Sequence, residues 1–380
     1  MSIRRAGGGL RLAALLVPAL LLGCGARAQK ALPPGRSDWP VFRGTARATG
    51  VAAEPLPPPL RILWRVENPG SIEATAAIVG DTVYFATMRG RLRAVRLQDG
   101  APKWEAVVRD AFSASPCVAD GRVYIGDESG VFHAFSAATG KPIWRYSTGD
   151  KIVSSAVTYG HLVLFGSYDG KLYALDGATG KPKWSVKTDA QVNCTPCLAE
   201  DRVVIAGCDG KVRFIDARTG KQRAVIEVGG NFGATPAYDG GRVFIGSLGG
   251  IYLCARMSTG KALWRVQERE VGASCYASAA VSDGLVVFAS RSRRLFAVSA
   301  ANGSGKWTFR TRGDVDSSPV VSGDTVYCGS GEGTLYALDL RSGRERWRFR
   351  TGAEIKASPA IARSRLVIGA TDGVLYCLGR

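Results

Sequence analysis

Ala174-Leu175-Asp176-Gly177-Ala178-Thr179-Gly180-Lys181-Pro182-Lys183-Trp184 decides the fold. Taken alone, it is the end of one strand, a Thr-Gly turn and the start of another strand. Taken with its surroundings, it is one copy of a repeat. Trp64, Trp104, Trp144 and Trp184 follow one another at steps of 40. Ala224 takes the next slot, and Trp264, Trp307 and Trp347 continue at steps of 40, 43 and 40. Glycine keeps the same register at Gly90, Gly130, Gly170, Gly210 and Gly250. Arg293 holds the sixth slot, and Gly333 and Gly373 follow. Two residue types in one register identify a tandem repeat, with three extra residues near Val271 to Tyr276.

Each unit reads as four short strands. In the seventh, Asp314–Val321 predicts a first strand, Thr325–Ser330 a second, Gly333–Asp339 a third and Arg344–Arg350 a fourth around Trp347. Four antiparallel strands per ~40 residues make a propeller blade. The chain ends on a third strand, Gly373–Leu378, and its repeats begin on a fourth, Leu60–Val66. The N-terminal strand is therefore expected to complete the last blade and close the ring. The prediction is an all-β protein with one eight-bladed propeller over residues 60–380.

The composition agrees. At 46% hydrophobic and 22% charged, the chain is globular, which excludes a collagen, a polytopic membrane protein and a disordered tail. The 48 glycines follow from several tight turns per blade.

The first residues read as an address. Arg4, Arg5 and Arg11 precede the uncharged run Leu12–Gly23, too short to span a bilayer and typical of a signal peptide. Its end reads two ways. Leu21-Leu22-Gly23-Cys24 resembles a lipobox, in which Cys24 carries the lipid. Ala26-Arg27-Ala28 is an A-x-A cleavage site that would release a soluble periplasmic or secreted protein. The expected organisation is a signal peptide at 1–23, a tether and N-terminal extension at 24–59, and the propeller beyond. Under the lipobox reading, Gly25 after the cysteine points to the periplasmic side of the outer membrane.

The Ala-x-Asp-x-x-Thr-Gly-Lys-x-x-Trp pattern of 174–184, and its variant from Ala337 through Gly343 to Trp347, resemble the repeats of pyrroloquinoline-quinone (PQQ) type propellers. That resemblance covers residues 60–380 and implies that the tryptophans dock between neighbouring blades. A lipoprotein signal before a lone propeller is similar to the BamB-like family, which implies a partner in the outer-membrane barrel-assembly machinery. Asp38-Trp39-Pro40-Val41-Phe42-Arg43-Gly44 resembles the start of many exported proteins of this superfamily whose roles are unassigned.

The PQQ resemblance raises the question of an enzyme. Quinoprotein dehydrogenases carry large blade insertions, a vicinal Cys-Cys pair and carboxylate and amide ligands for Ca²⁺. This chain has no adjacent cysteines and no Cys-x-x-Cys-His for haem. The slot two residues before the Ser/Thr of each first strand should line the axial funnel. It holds Glu73, Ser113, Val153, Asn193, Gly233, Tyr276, Asp316 and Lys356. Glu73, Asn193 and Asp316 are of Ca²⁺-ligating type but fall in blades 1, 4 and 7, so no cofactor or metal is expected. PQQ with Ca²⁺ belongs only to the alternative reading, a dehydrogenase-like or small-ligand or polymer-binding propeller.

Cys117, Cys194, Cys197, Cys254, Cys275, Cys328 and Cys377 fall in slots held elsewhere by small or apolar residues and read as buried fillers. Cys194 and Cys197 lie three apart on a strand, on opposite faces, and cannot chelate one metal. Cys208 falls in a turn slot and can pair with a neighbour in an oxidising compartment. His133 and His161 fall in different strand slots and read as structural or surface residues.

The net charge of +18 becomes +15 without residues 1–23. It points to anionic lipid, lipopolysaccharide or an acidic partner in the envelope, and not to nucleic acid, since the aromatics occupy packing slots. Two basic clusters stand out as binding surfaces or as solvated edges: Arg344, Arg346, Arg348 and Arg350, and Arg291, Arg293 and Arg294. The leading functional expectation is an exported, non-enzymatic scaffold that docks a partner by loops or a strand edge.

Overall fold

The computed structural model describes residues 37–268, 270 and 273–380; the signal peptide, Cys24 and part of the three-residue insertion lie outside them. Thirty-two strands among the described residues form eight four-stranded antiparallel sheets. This is an eight-bladed propeller. Blade 1 is Ala77–Val79, Thr82–Ala86, Arg91–Arg96 and Pro102–Val107. Blades 2 to 7 repeat it in order. Blade 8 combines Ala360–Ala362, Arg365–Gly369 and Val374–Gly379 with the N-terminal strand Arg61–Glu67. Arg61 pairs with Gly379 and Glu67 with Val374, so the two chain ends close the ring.

The strands follow their residue types. Second strands such as Thr-Val-Tyr-Phe-Ala (82–86) are buried on both faces, between neighbouring blades. Fourth strands alternate half-buried and exposed, because the blades diverge towards the rim. First strands are shorter than the sequence predicts: in blade 7 the strand is Val320–Ser322, and 314–319 is an irregular lead-in. The reason lies at the axis. There the chain trades strand pairing for hydrogen bonds between blades through Ser and Thr hydroxyls. The amide of Thr75 donates to Ser115 Oγ (3.0 Å), Ser115 to Ser155 Oγ (2.9 Å) and Ser155 to Thr195 Oγ1 (3.1 Å). The series continues through Thr235, Ser278 and Ser318 to Ser358.

The tryptophans join neighbouring blades. The indole N–H groups of Trp64, Trp104, Trp144, Trp264 and Trp307 donate to the carbonyls of Leu97, Ala137, Gly177, Ala300 and Leu340, at 2.8–3.0 Å. Trp347 packs against the core cluster holding Leu375 and Cys377 of blade 8. The Thr-Gly turn of the next blade must lie flat on the indole. A Cβ on Gly140, at φ +70°, would come within 2.5 Å of the Trp104 ring. Where Ala224 replaces the tryptophan, the Arg202 guanidinium takes over. It donates to the carbonyls of Met257 and Ser258 in blade 5, at 2.6 Å each.

Residues 38–56 run as a belt along the inner edges of the first strands. An inner edge presents amides with no ladder partner. The belt carbonyls accept them in turn: Ile78 to Trp39, Val118 to Pro40, Leu198 to Ala46, Tyr238 to Arg47, Val281 to Thr49 and Val321 to Gly50, at 2.7–3.0 Å. Blades 1, 2, 4, 5, 6 and 7 are tied in this way, while Arg363 of blade 8 pairs with Asp38 at 2.9 Å. Trp39 is buried, and Arg43 is fully buried, its Nη2 donating to the carbonyls of Ala279 and Pro319 (3.0 and 2.5 Å).

Candidate functional site

The axis holds a polar cavity of about 170 Å³. Its wall is formed by Glu73, Ser113, Val153, Asn193, Gly233, Tyr276, Asp316 and Lys356, together with the Ser/Thr hydroxyl ring. Register alone brings these residues together, because each occupies the same point of its blade. Phe42 lines the cavity from the belt end. The turns between second and third strands bond back to the lead-ins: the amides of Met88 and Cys208 donate to the carbonyls of Ser71 and Gln191.

The charged groups of the wall hold one another. Arg291 clasps Asp316 through two parallel hydrogen bonds, Nε to Oδ1 at 2.7 Å and Nη2 to Oδ2 at 2.8 Å. Its guanidinium lies 3.9 Å from the centre of the Tyr276 ring, and the Asp316 bonds hold it above the ordinary arginine pKa. Lys356 sits 3.5 Å from Glu73 and 3.8 Å from Glu354, and Ser71 donates to Glu73. Asn193 directs its amide N–H at Cys208 (3.6 Å); its Oδ1 and the Ser113 hydroxyl are buried without a protein partner.

A quinone with Ca²⁺ does not fit here. The ion requires six to eight oxygens, and two of the three suitable side chains are already paired with Arg291 and Lys356. The cavity is also smaller than the ~300 Å³ at which sites for ligands of that size begin. Two buried unpartnered polar atoms match ordered water in a polar chamber of this size.

The basic clusters are largely neutralised. Arg293 faces Asp314 (3.5 Å), and Arg294 faces Glu268 and Glu270 (2.6 Å each). Arg346 pairs with Asp324 (2.7 Å) and Asp339, and Arg348 with Glu345. Arg344 and Arg350 have no acidic partner within 4.0 Å among the described residues; the outward face of this strand carries Arg346, Arg348 and Arg350. Among the described residues, seven cysteines are free and buried, and Cys208 is free and half-buried. His133 lies on a third strand and bonds the buried Asp127 at 2.7 Å. His161 differs from its expected strand position: it lies in the Gly160-His161 turn, just before the strand Leu162–Ser167.

The rim carries larger clefts between blades. One, about 950 Å³ between blades 1 and 2, includes His133, Asp127, Arg145 and the exposed Val107 (62%) and Ile143 (46%). The sequence signal for it was present but unread: Val107 and Ile143 are apolar residues at outward positions of a fourth strand.

The family model of the outer membrane protein assembly factor BamB matches residues 59–116, 210–319 and 310–379, more than half of the chain. The chain belongs to the BamB family. Among solved structures, BamB from Moraxella catarrhalis is 20% identical, with a TM-score of 0.75, over 85% of this chain and 98% of that one. A quinohemoprotein alcohol dehydrogenase from Comamonas testosteroni is 14% identical, with a TM-score of 0.78, over 91% and 81%. A europium-containing methanol dehydrogenase is 13% identical, with a TM-score of 0.81, over 91% and 98%. These likenesses establish the shared PQQ-type propeller fold. No curated protein matches the sequence.

Proposed function

We propose that this BamB-family propeller is an exported, non-enzymatic scaffold that docks an envelope protein, with the outer-membrane barrel-assembly machinery as its partner. The carrying observation is the axial wall, whose charges are matched to each other and whose far end meets Phe42. A site built for redox chemistry would leave ligating oxygens open; this one supports a rigid hub. The chain is secreted through residues 1–23 and held at the membrane by a lipid on Cys24, the 24–36 segment acting as a tether. Docking uses the rim, where Val107 and Ile143 flank the cleft between blades 1 and 2. The test is affinity capture of the envelope complex from membranes. Barrel-assembly components should co-purify with the wild type and fall away with Val107→Asp/Ile143→Asp. Their retention by that variant refutes the rim as the contact. Dye-linked alcohol or sugar oxidation after adding PQQ and Ca²⁺ refutes the scaffold reading. Retention in the membrane of the Cys24→Ser protein refutes the anchor.

A further inference from the structure

Blade 3 departs from the pairing that blades 1 and 7 share. In blades 1 and 7, the second residue of the turn between first and second strands is acidic and meets a base on the fourth strand. Lys103 lies 2.7 Å from Asp81, and Arg346 lies 2.7 Å from Asp324. In blade 3 the base remains as Lys183, but the acid's place is taken by His161. Lys183 keeps only a looser contact with Asp176, at 3.6 Å.

A second acid is missing from the same place. In blade 7, Arg341 reaches back to Asp283 in the preceding blade's turn (3.8 Å). The equivalent base in blade 4 is Arg218, and its acidic slot in blade 3 is Gly160. The Tyr159 hydroxyl, which itself donates to Asp201 at 2.6 Å, together with Asp201 and Asp216 holds Arg218 above the ordinary arginine pKa. Lys183, His161 and Arg218 thus gather around a cleft of about 690 Å³, and no carboxylate is among its lining residues. Trp184 forms part of its wall. Its indole nitrogen is buried without a partner, where five of the blade tryptophans bond the next blade's carbonyl.

We propose that this cleft between blades 3 and 4 binds the phosphate group of a small organic phosphate or of an anionic lipid headgroup. Arg218, Lys183 and His161 all line it, supplying a guanidinium, an ammonium and an imidazole. That set matches a dianionic phosphate better than a single carboxylate. Tyr159 and Trp184 supply apolar wall for the rest of the ligand. The inference is independent of the docking partner proposed above.

The test uses the full-length protein carrying Cys24→Ser, so that no lipid anchor contributes. Calorimetry at low ionic strength measures binding of sn-glycerol 3-phosphate and inorganic phosphate, because salt screens such contacts. Co-sedimentation compares phosphatidylglycerol with phosphatidylcholine vesicles. Saturable binding to one site is expected. Arg218→Gln should weaken it by about tenfold, the loss of roughly one charged hydrogen bond. The decisive variant is His161→Asp, which rebuilds the pairing that blades 1 and 7 already hold. It should keep the melting temperature and abolish binding, while Arg344→Gln changes neither. If the soluble phosphates bind, the site reads a free organic phosphate. If only phosphatidylglycerol vesicles bind, and His161→Asp releases them, it reads a lipid headgroup. Equal binding by wild type and His161→Asp overturns the proposal, as does a wild type that binds neither phosphate nor anionic vesicles.

Discussion

Gly50→Ala tests whether the belt is an energetic part of the propeller or only lies along it. Gly50 has φ +65°, and a Cβ there would stand 1.8 Å from Nη2 of Arg43. That nitrogen donates to Ala279 of blade 6 and Pro319 of blade 7. The left-handed backbone costs alanine ~1–2 kcal/mol. Moving the guanidinium forfeits two hydrogen bonds to a charged group, worth ~1.5–3 kcal/mol each. The sum is about 4–8 kcal/mol, comparable to the whole stability of many domains. Gly80→Ala is the control: φ is +60°, but a Cβ there meets nothing within 4 Å, so only the backbone cost of ~1–2 kcal/mol remains. Urea unfolding of both variants, followed by tryptophan fluorescence, measures the gap. Arg43→Ala/Gly50→Ala completes a cycle, since without the guanidinium the second substitution should cost no more than Gly80→Ala. If Gly50→Ala alone falls within about 1 kcal/mol of Gly80→Ala, Arg43 does not tie blades 6 and 7, and the reasoning fails.

Three further outcomes follow from the same structure. Arg293 occupies a glycine slot at φ 62°, so Arg293→Gly should raise the urea midpoint by about 1 kcal/mol in stability, and a loss would show that its contact with Asp314 matters more. Trp104→Ala should cost ~3–5 kcal/mol, whereas Ala224→Trp should also destabilise, by ~1–3 kcal/mol, because Gly260 and Arg202 already fill that seam; a stabilised Ala224→Trp protein would refute the Arg202 substitution. Burial pushes the thiols of Cys117, Cys194, Cys328 and Cys377 up to about 12, against ~8.5 when unfolded. Folding then holds protons that the unfolded chain releases. The stability is therefore complete below pH ~8.5 and falls as pH rises towards 12, by up to ~1.4 kcal/mol per pH unit for each thiol. A melting temperature flat from pH 7 to about 10 would contradict this.

Blade number and ring closure were legible because they rest on side chains that most blades keep. An indole must reach the next blade's carbonyl, and a glycine must lie flat beneath it, so both leave a mark every ~40 residues. The wall of the axial cavity was legible for the same reason, since register fixes which residues face the axis. What those residues do to one another was not. Arg291 and Asp316 are 25 positions apart and belong to different blades, and only the curvature of the ring brings a turn residue of one onto the lead-in of the next. The belt was illegible for a deeper reason. It binds the inner strands with carbonyls, which every residue possesses, so most of its sequence is unconstrained by its contacts. Asp38, Trp39, Phe42, Arg43 and Gly50 meet specific demands on side chain or backbone, and residues scattered in this way form no period.

The charge follows the same logic of exceptions. In blades 1 and 7 the fourth-strand base meets an acid at a fixed offset, Lys103 with Asp81 and Arg346 with Asp324. Counting basic residues along the chain therefore selects the wrong places: Arg291, Arg294, Arg346 and Arg348 crowd the sequence, yet each meets a carboxylate in space. Part of the positive charge left over lies where a repeat keeps its base and loses its acid. Blade 3 is such a place twice over, at Gly160 and His161, and neither position is itself a conspicuous basic cluster. In a tandem repeat, the informative surface is the departure from the repeat's own internal pairing, and composition alone does not show it.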